Sequence, residues 1–162
     1  MSCEPILRFA TNEDSPGVLS LIESVFQEFD YVASAEHGEN DLTNLDRDYF
    51  GKGGAFWVME ADSRIVGTHG ALRGRENGIC TFRRLYLAKD FRGGDYGRQL
   101  MQIAINWARE NQMHRIEFWS DIKFSRAHRF FAKFGFVGTD ELRSSHDGLQ
   151  PYVESFYYLD LE

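Results

Sequence analysis

In Leu85-Tyr86-Leu87-Ala88-Lys89-Asp90-Phe91-Arg92-Gly93-Gly94-Asp95-Tyr96-Gly97-Arg98 a short apolar strand passes through a basic, glycine-rich turn into an amphipathic helix. That order of parts makes a socket for a phosphorylated ligand. The start of a helix leaves unpaired N–H groups and a partial positive charge, which together attract phosphate. Glycines let the backbone approach an anion closely. Arg92 and Arg98 bracket the turn and place full positive charge beside it.

Around this turn the chain reads as a mixed α/β protein. Pro5 to Ala10 is a first strand, and Asp14-Ser15-Pro16 a helix start with Ser15 as cap. Val18, Ile22, Val25, Phe26 and Phe29 then recur at helical spacing. An acidic loop, Glu36-His37-Gly38-Glu39-Asn40-Asp41, leads to a short helix marked by Leu42, Leu45 and Tyr49. The period then shortens to that of strands at Ala55–Glu60, Arg64–Leu72 and Ile79–Leu87. Past the glycine turn, Leu100, Ile103, Ala104, Trp107 and Ala108 form the buried stripe of a helix. A strand at Arg115–Trp119, a helix at Phe124–Phe134 and strands near Phe136–Glu141 and Tyr152–Leu161 complete the order. The order predicts an α/β (α+β) fold, a mixed sheet with helices covering it, in one domain spanning residues 1–162.

Composition narrows the class. At 162 residues, 43% hydrophobic and 15% aromatic, the chain can bury a substantial core. A net charge of −7 argues against general nucleic-acid binding, which needs a basic surface. Two cysteines, Cys3 and Cys80, make no disulfide framework, and no Cys/His spacing resembles a metal site. No stretch approaches the roughly 20 apolar residues that span a bilayer. The expectation is a cytoplasmic protein with no membrane or nucleic-acid partner.

The element order and the turn resemble the GNAT superfamily of acetyl-coenzyme A-dependent N-acetyltransferases. That family's pyrophosphate motif is Gln or Arg, two variable residues, Gly, one variable residue, then Gly or Ala. Here it reads Arg92-Gly93-Gly94-Asp95-Tyr96-Gly97, so the arginine and the last glycine match. A second landmark, Ala127-His128-Arg129-Phe130-Phe131-Ala132-Lys133-Phe134-Gly135-Phe136, is similar to the family's Ala-x-x-x-Tyr-x-x-x-Gly-Phe. The resemblance implies a mostly antiparallel central sheet of about seven strands, helices on both faces, and splayed fourth and fifth strands. It implies acetyl-CoA or CoA as cofactor, held along Leu85, Tyr86, Leu87, Arg92, Gly93, Gly94, Asp95, Tyr96, Gly97, Arg98, Phe124, Ala127 and Phe131. It also implies that the Leu85 N–H stabilises the oxyanion, and that a homodimer is a common assembly.

Three positions depart from the family. Asp95 stands where the motif usually has glycine, and it reads as a helix cap with its side chain turned away. Thr81 stands at the position of the fourth-strand glutamate that some members use as base. Phe131 replaces the tyrosine that often protonates the departing thiolate. A base must then come from elsewhere, and His69 and His128 are the candidates, each equally readable as structural. Glu36, Glu39, Tyr152 and Tyr157 are further candidates, and Asp121 is a polar residue near the groove mouth or a helix cap. The acceptor site falls to Glu36, Glu39 and Tyr152. Three carboxylates within the acidic loop would concentrate a cationic amine, or simply form a solvated acidic loop. The resulting expectation is N-acetylation of a small amine, with a catalytically silent CoA-binding sensor or regulatory domain as the alternative.

Overall fold

A computed structural model describes residues 4–145 and 149–161 of the chain; Cys3 lies outside them. Seven strands form one sheet: β1 (Ile6–Phe9), β2 (Ala55–Ala61), β3 (Arg64–Arg73), β4 (Ile79–Leu87), β5 (Arg115–Asp121), β6 (Val137–Ser145) and β7 (Tyr152–Asp160). Their spatial order is β1-β2-β3-β4-β5-β7-β6. All neighbours run antiparallel except β4 and β5. The helices are α1 (Ser15–Gln27), α2 (Leu45–Asp48), α3 (Tyr96–Glu110) and α4 (Ser125–Lys133).

Alternation along β2 shows why helices cover both faces. Ala55 and Trp57 pack with Met101, Ala104, Ile105 and Ala108 of α3. Phe56 and Val58, one residue out of phase, pack with Val18, Ile22 and Phe26 of α1 and with Leu45. The stripe on α3 differs from the expected one at two positions. Met101 and Ile105 are buried, whereas Ile103 and Trp107 are only half-buried, so the buried face of the helix is centred on Met101, Ala104, Ile105 and Ala108. Ser15 is not the cap of α1. It lies inside the first turn, buried, with a hydroxyl that has no partner. Asp14 precedes it and accepts hydrogen bonds from the Thr11 N–H and the Arg8 guanidinium.

Two irregularities create the site. First, β4 and β5 pair only at Ile79↔Arg115, Cys80↔Ile116 and Thr81↔Glu117. Beyond Thr81 the strands separate, so the facing backbone edges of both are open. Second, the β3–β4 register shifts between Thr68 and Gly70, which leaves an extra residue in β4. Arg84 takes a left-handed φ of 62° there, and the Thr68 hydroxyl donates to its carbonyl at 2.8 Å. Leu85 directly follows the left-handed residue of the bulge.

Candidate active site

Two cavities meet at the splay. One, about 530 Å³, is lined by Leu85, Tyr86 and Leu87 of β4, by Arg92, Gly93, Gly94 and Gly97 of the turn, and by Phe124, Ala127 and their α4 neighbours. The other, about 210 Å³, is lined by residues including His69, Thr81, Arg83, Tyr31, Glu39 and Tyr152. Leu85, Tyr86 and Phe124 belong to both, so the bulge is the junction.

The cleft is built for an anion. Gly93 has φ 88°, a conformation that side chains resist, and a Cβ at Gly94 would meet nothing nearer than the Tyr96 ring at 3.9 Å. The exposed backbone there opens onto the first turn of α3. Of the two arginines that the sequence singled out, Arg92 lines the cleft and Arg98 does not. Arg92 is held in a bidentate pair by Glu28, at 2.7 and 2.8 Å, and its Nε donates to the Leu87 carbonyl at 2.9 Å. That arginine also keeps the Glu28 carboxyl below its ordinary range. It braces the turn against α1 and β4. Arg98 is paired with Asp95, and both are exposed and outside the cleft lining. The Asp95 carboxyl is pulled down to about 2 by the hydrogen bonds from Arg98 and Gln99. It lies outside the cleft lining, and, unlike the cap read from the sequence, its side chain makes no cap bond. Tyr96 packs on Phe91, also outside the lining.

Positive charge facing the cleft comes instead from Lys123, Arg126, Arg129 and Lys133. Arg126, Arg129 and Lys133 recur at helical spacing on α4, and a Cβ at Gly93 would lie 3.9 Å from the Arg126 guanidinium. This basic edge is how an acidic protein can hold a polyphosphate. The spacing i, i+3, i+7 was a signal in the sequence, overshadowed by the apolar residues of the same helix.

In the second cavity, the Arg84 side chain is buried against Asp41 at 2.7 Å and also donates to the Gly38 carbonyl at 2.7 Å. Glu39 is buried in the wall, and Tyr152 lines it. Glu36 is exposed and borders neither cavity. Phe131 is buried on Phe118 and Tyr157 and borders the smaller cavity rather than the cofactor cleft. His128 borders neither; its Nε2 lies 3.0 Å from the Asp121 carbonyl, and its ring packs near Phe131 and Tyr157. Burial holds its pKa below the ordinary histidine value.

His69 does line the smaller cavity. Its Nδ1 is 3.0 Å from the Leu100 carbonyl. A carbonyl only accepts, so Nδ1 carries the hydrogen and Nε2 keeps its lone pair. Burial pushes its pKa down to about 4, so the ring is neutral at pH 7. In the unfolded chain the ordinary value of 6.5 applies, and between pH 6.5 and about 4 the unfolded state binds the extra proton. Stability therefore falls as pH drops through that window. Thermal melts from pH 7 to pH 4 are expected to show this decline, with a shallower slope in His69→Gln.

Comparison with known proteins gives one family. A model described as the acetyltransferase (GNAT) family matches residues 19–136. The N-acetyltransferase YjgM of Escherichia coli K12 is 27% identical over 140 residues, covering 84% of each chain. A GNAT-family acetyltransferase from Staphylococcus aureus Mu50 superposes with a TM-score of 0.84 at 23% identity, over 98% of this chain and 99% of that one. The Salmonella typhimurium protein yncA, solved with its cofactor acetyl-CoA, has a TM-score of 0.75 at 17% identity, over 99% of this chain and 95% of that one.

Proposed function

The chain belongs to the acetyltransferase (GNAT) family, and on that premise we propose that it moves the acetyl group of acetyl-CoA onto a primary amine of a small acceptor, by direct attack in a ternary complex. One observation carries the reading: a basic, glycine-walled cleft and a separate small cavity share Leu85, Tyr86 and Phe124 in their walls. Cofactor and acceptor can then be bound together, with the reacting atoms meeting at the bulge. The pantetheine arm would lie along the open edge of β4, pairing with backbone that β5 leaves free. Its phosphates would sit over Gly93, Gly94 and Gly97, facing Arg126 and Arg129. The Leu85 N–H would donate to the thioester oxygen as negative charge develops on it.

Holding a neutral amine against the thioester supplies much of the barrier reduction, because the encounter becomes intramolecular. His69, neutral with an unprotonated Nε2, is a hydrogen-bond acceptor in the wall of the acceptor cavity. A group with a pKa of about 4 gives no inflection between pH 6 and 7, and none is expected from it in the rate profile. A cavity of about 210 Å³ fits a small amine or the end of a chain.

A second reading, a domain that binds CoA without turning it over, is favoured by Thr81 and Phe131 at the positions matched to the family's base and acid. Calorimetric titration with acetyl-CoA and dephospho-CoA, followed by thiol release across an amine panel, separates the two. Micromolar acetyl-CoA binding with amine-dependent thiol release supports the transferase. Binding without release on any amine supports the sensor, and no binding sinks both.

A further inference from the structure

Tyr31 and Asp121 line the smaller cavity together and form a buried polar site in it. Tyr31 follows α1 and is 8% exposed, and its hydroxyl has no hydrogen-bond partner. An unpartnered buried hydroxyl is destabilising, so native proteins keep few of them. Asp121 ends β5 and is 6% exposed. Its Oδ1 accepts the Lys123 N–H at 2.9 Å, and its carboxylate lies close enough to act on the Tyr31 hydroxyl. Both side chains line the same cavity, and Phe124, whose N–H donates to the Asp121 carbonyl, lies at its junction with the cofactor cleft.

We propose that Tyr31 and Asp121 are the docking point for the acceptor's amino group, which arrives there as a primary ammonium and passes one proton to the Asp121 carboxylate before its nitrogen attacks as the neutral amine. An ammonium seated against the pair donates to the carboxylate and to the phenolic oxygen. The Tyr31 hydroxyl can then turn its own hydrogen to the carboxylate, and every polar atom is satisfied. Burial, and after it the nearby Asp121 carboxylate through its accepting oxygen and its charge, pushes the Tyr31 hydroxyl up to about 12, so it remains a neutral donor and acceptor.

Arg83, Arg84 and Arg143 line the cavity with Glu39, Asp121 and Glu154. Arg143 is committed to Glu154 at 2.8 Å, and Arg84 to Asp41 behind it, so neither guanidinium is left to neutralise Asp121. The Lys123 ammonium lies over the Tyr31 ring at 4.8 Å, on the face rather than at the hydroxyl. Gln150 grips the backbone of Val32 through both its amide atoms, at 3.0 and 3.2 Å, and so holds the Tyr31 loop against the last hairpin.

This inference rests on the acetyltransferase reading only for the identity of the bound group, so binding is measured apart from turnover. The probes are ethanolamine, cadaverine and glycinamide, titrated calorimetrically into CoA-loaded protein, with choline as the amine that cannot donate. At least one primary amine is expected to bind, and choline is not. Asp121→Asn is expected to weaken that amine at least tenfold with CoA affinity unchanged. Tyr31→Phe is expected to weaken it about threefold with the melting temperature equal or higher, since an orphan hydroxyl is removed. A purely structural hydroxyl would instead lower the melting temperature and leave amine affinity alone. No binding of any of the three amines, or unchanged affinity in Asp121→Asn, overturns the proposal. Amine binding that survives without acetylation overturns the transferase reading and leaves the docking site standing.

Discussion

Replacing Gly94 by glutamate is expected to weaken CoA binding about a hundredfold, roughly 2.7 kcal/mol, while the melting temperature stays within about 2 °C of wild type. The two halves of that result come from different features of the turn. Gly94 does not have the left-handed φ of its neighbour Gly93, and a Cβ there would meet only the Tyr96 ring at 3.9 Å, an ordinary contact. A side chain therefore enters open cleft rather than core. An acidic group just before α3 also suits the helix dipole, so the fold is not penalised. For the ligand the same carboxylate is doubly harmful. It repels phosphate, and it competes for the N–H groups at the start of α3 and for the Arg126 guanidinium across the turn. Gly94→Ala, which adds bulk without charge, is the control and is expected to lose only severalfold. Calorimetry with CoA beside thermal melts decides the matter. Unchanged affinity in Gly94→Glu would place the phosphates elsewhere.

The glycine turn shows what could be read from the chain and what could not. Strand, turn and helix follow one another locally, so their periods and their glycines announced them, and the sheet built from such units came out with seven strands. Charge partners do not follow locally. Arg92 stood beside the turn in sequence, yet Glu28, 64 residues away, occupies it in the fold. The partner of Arg98 was legible, since Asp95 lies three residues before it at helical spacing. The basic edge of α4 was legible in the same way, through Arg126, Arg129 and Lys133. His69 looked like any strand histidine. Only the approach of α3 in space puts the Leu100 carbonyl on its Nδ1 and so chooses its tautomer. Tyr31 left no mark in the sequence, because its significance is an absent partner, and absence is visible only in three dimensions.

Arg84→Met is expected to destabilise the protein by about 3–5 kcal/mol, lowering the melting temperature by roughly 10 °C for a domain of this size. The Arg84 side chain is 9% exposed and gives Asp41 hydrogen bonds at 2.7 and 3.2 Å, and the Tyr49 hydroxyl donates to the same carboxylate. Burial alone would push the Asp41 carboxyl up, but the Arg84 guanidinium outweighs it and holds the carboxyl below its ordinary range. In the wild type this pair thus contributes stability above the ordinary carboxylate range, and loses it only as pH falls through the depressed value. Removing Arg84 reverses the sign. Burial then dominates, the Asp41 carboxyl titrates above its unfolded value, and the variant loses stability as pH rises. The gap between wild type and Arg84→Met should accordingly narrow from pH 7 to pH 5, which a loss of packing alone would not produce. Adding Asp41→Asn should recover much of the loss at pH 7, because no buried charge is left uncompensated. Turnover should not recover with it, since Arg84 sits in the bulge beside Leu85, whose N–H we propose as the oxyanion donor. A double variant that regained both stability and full activity would show that Arg84 supports the fold alone.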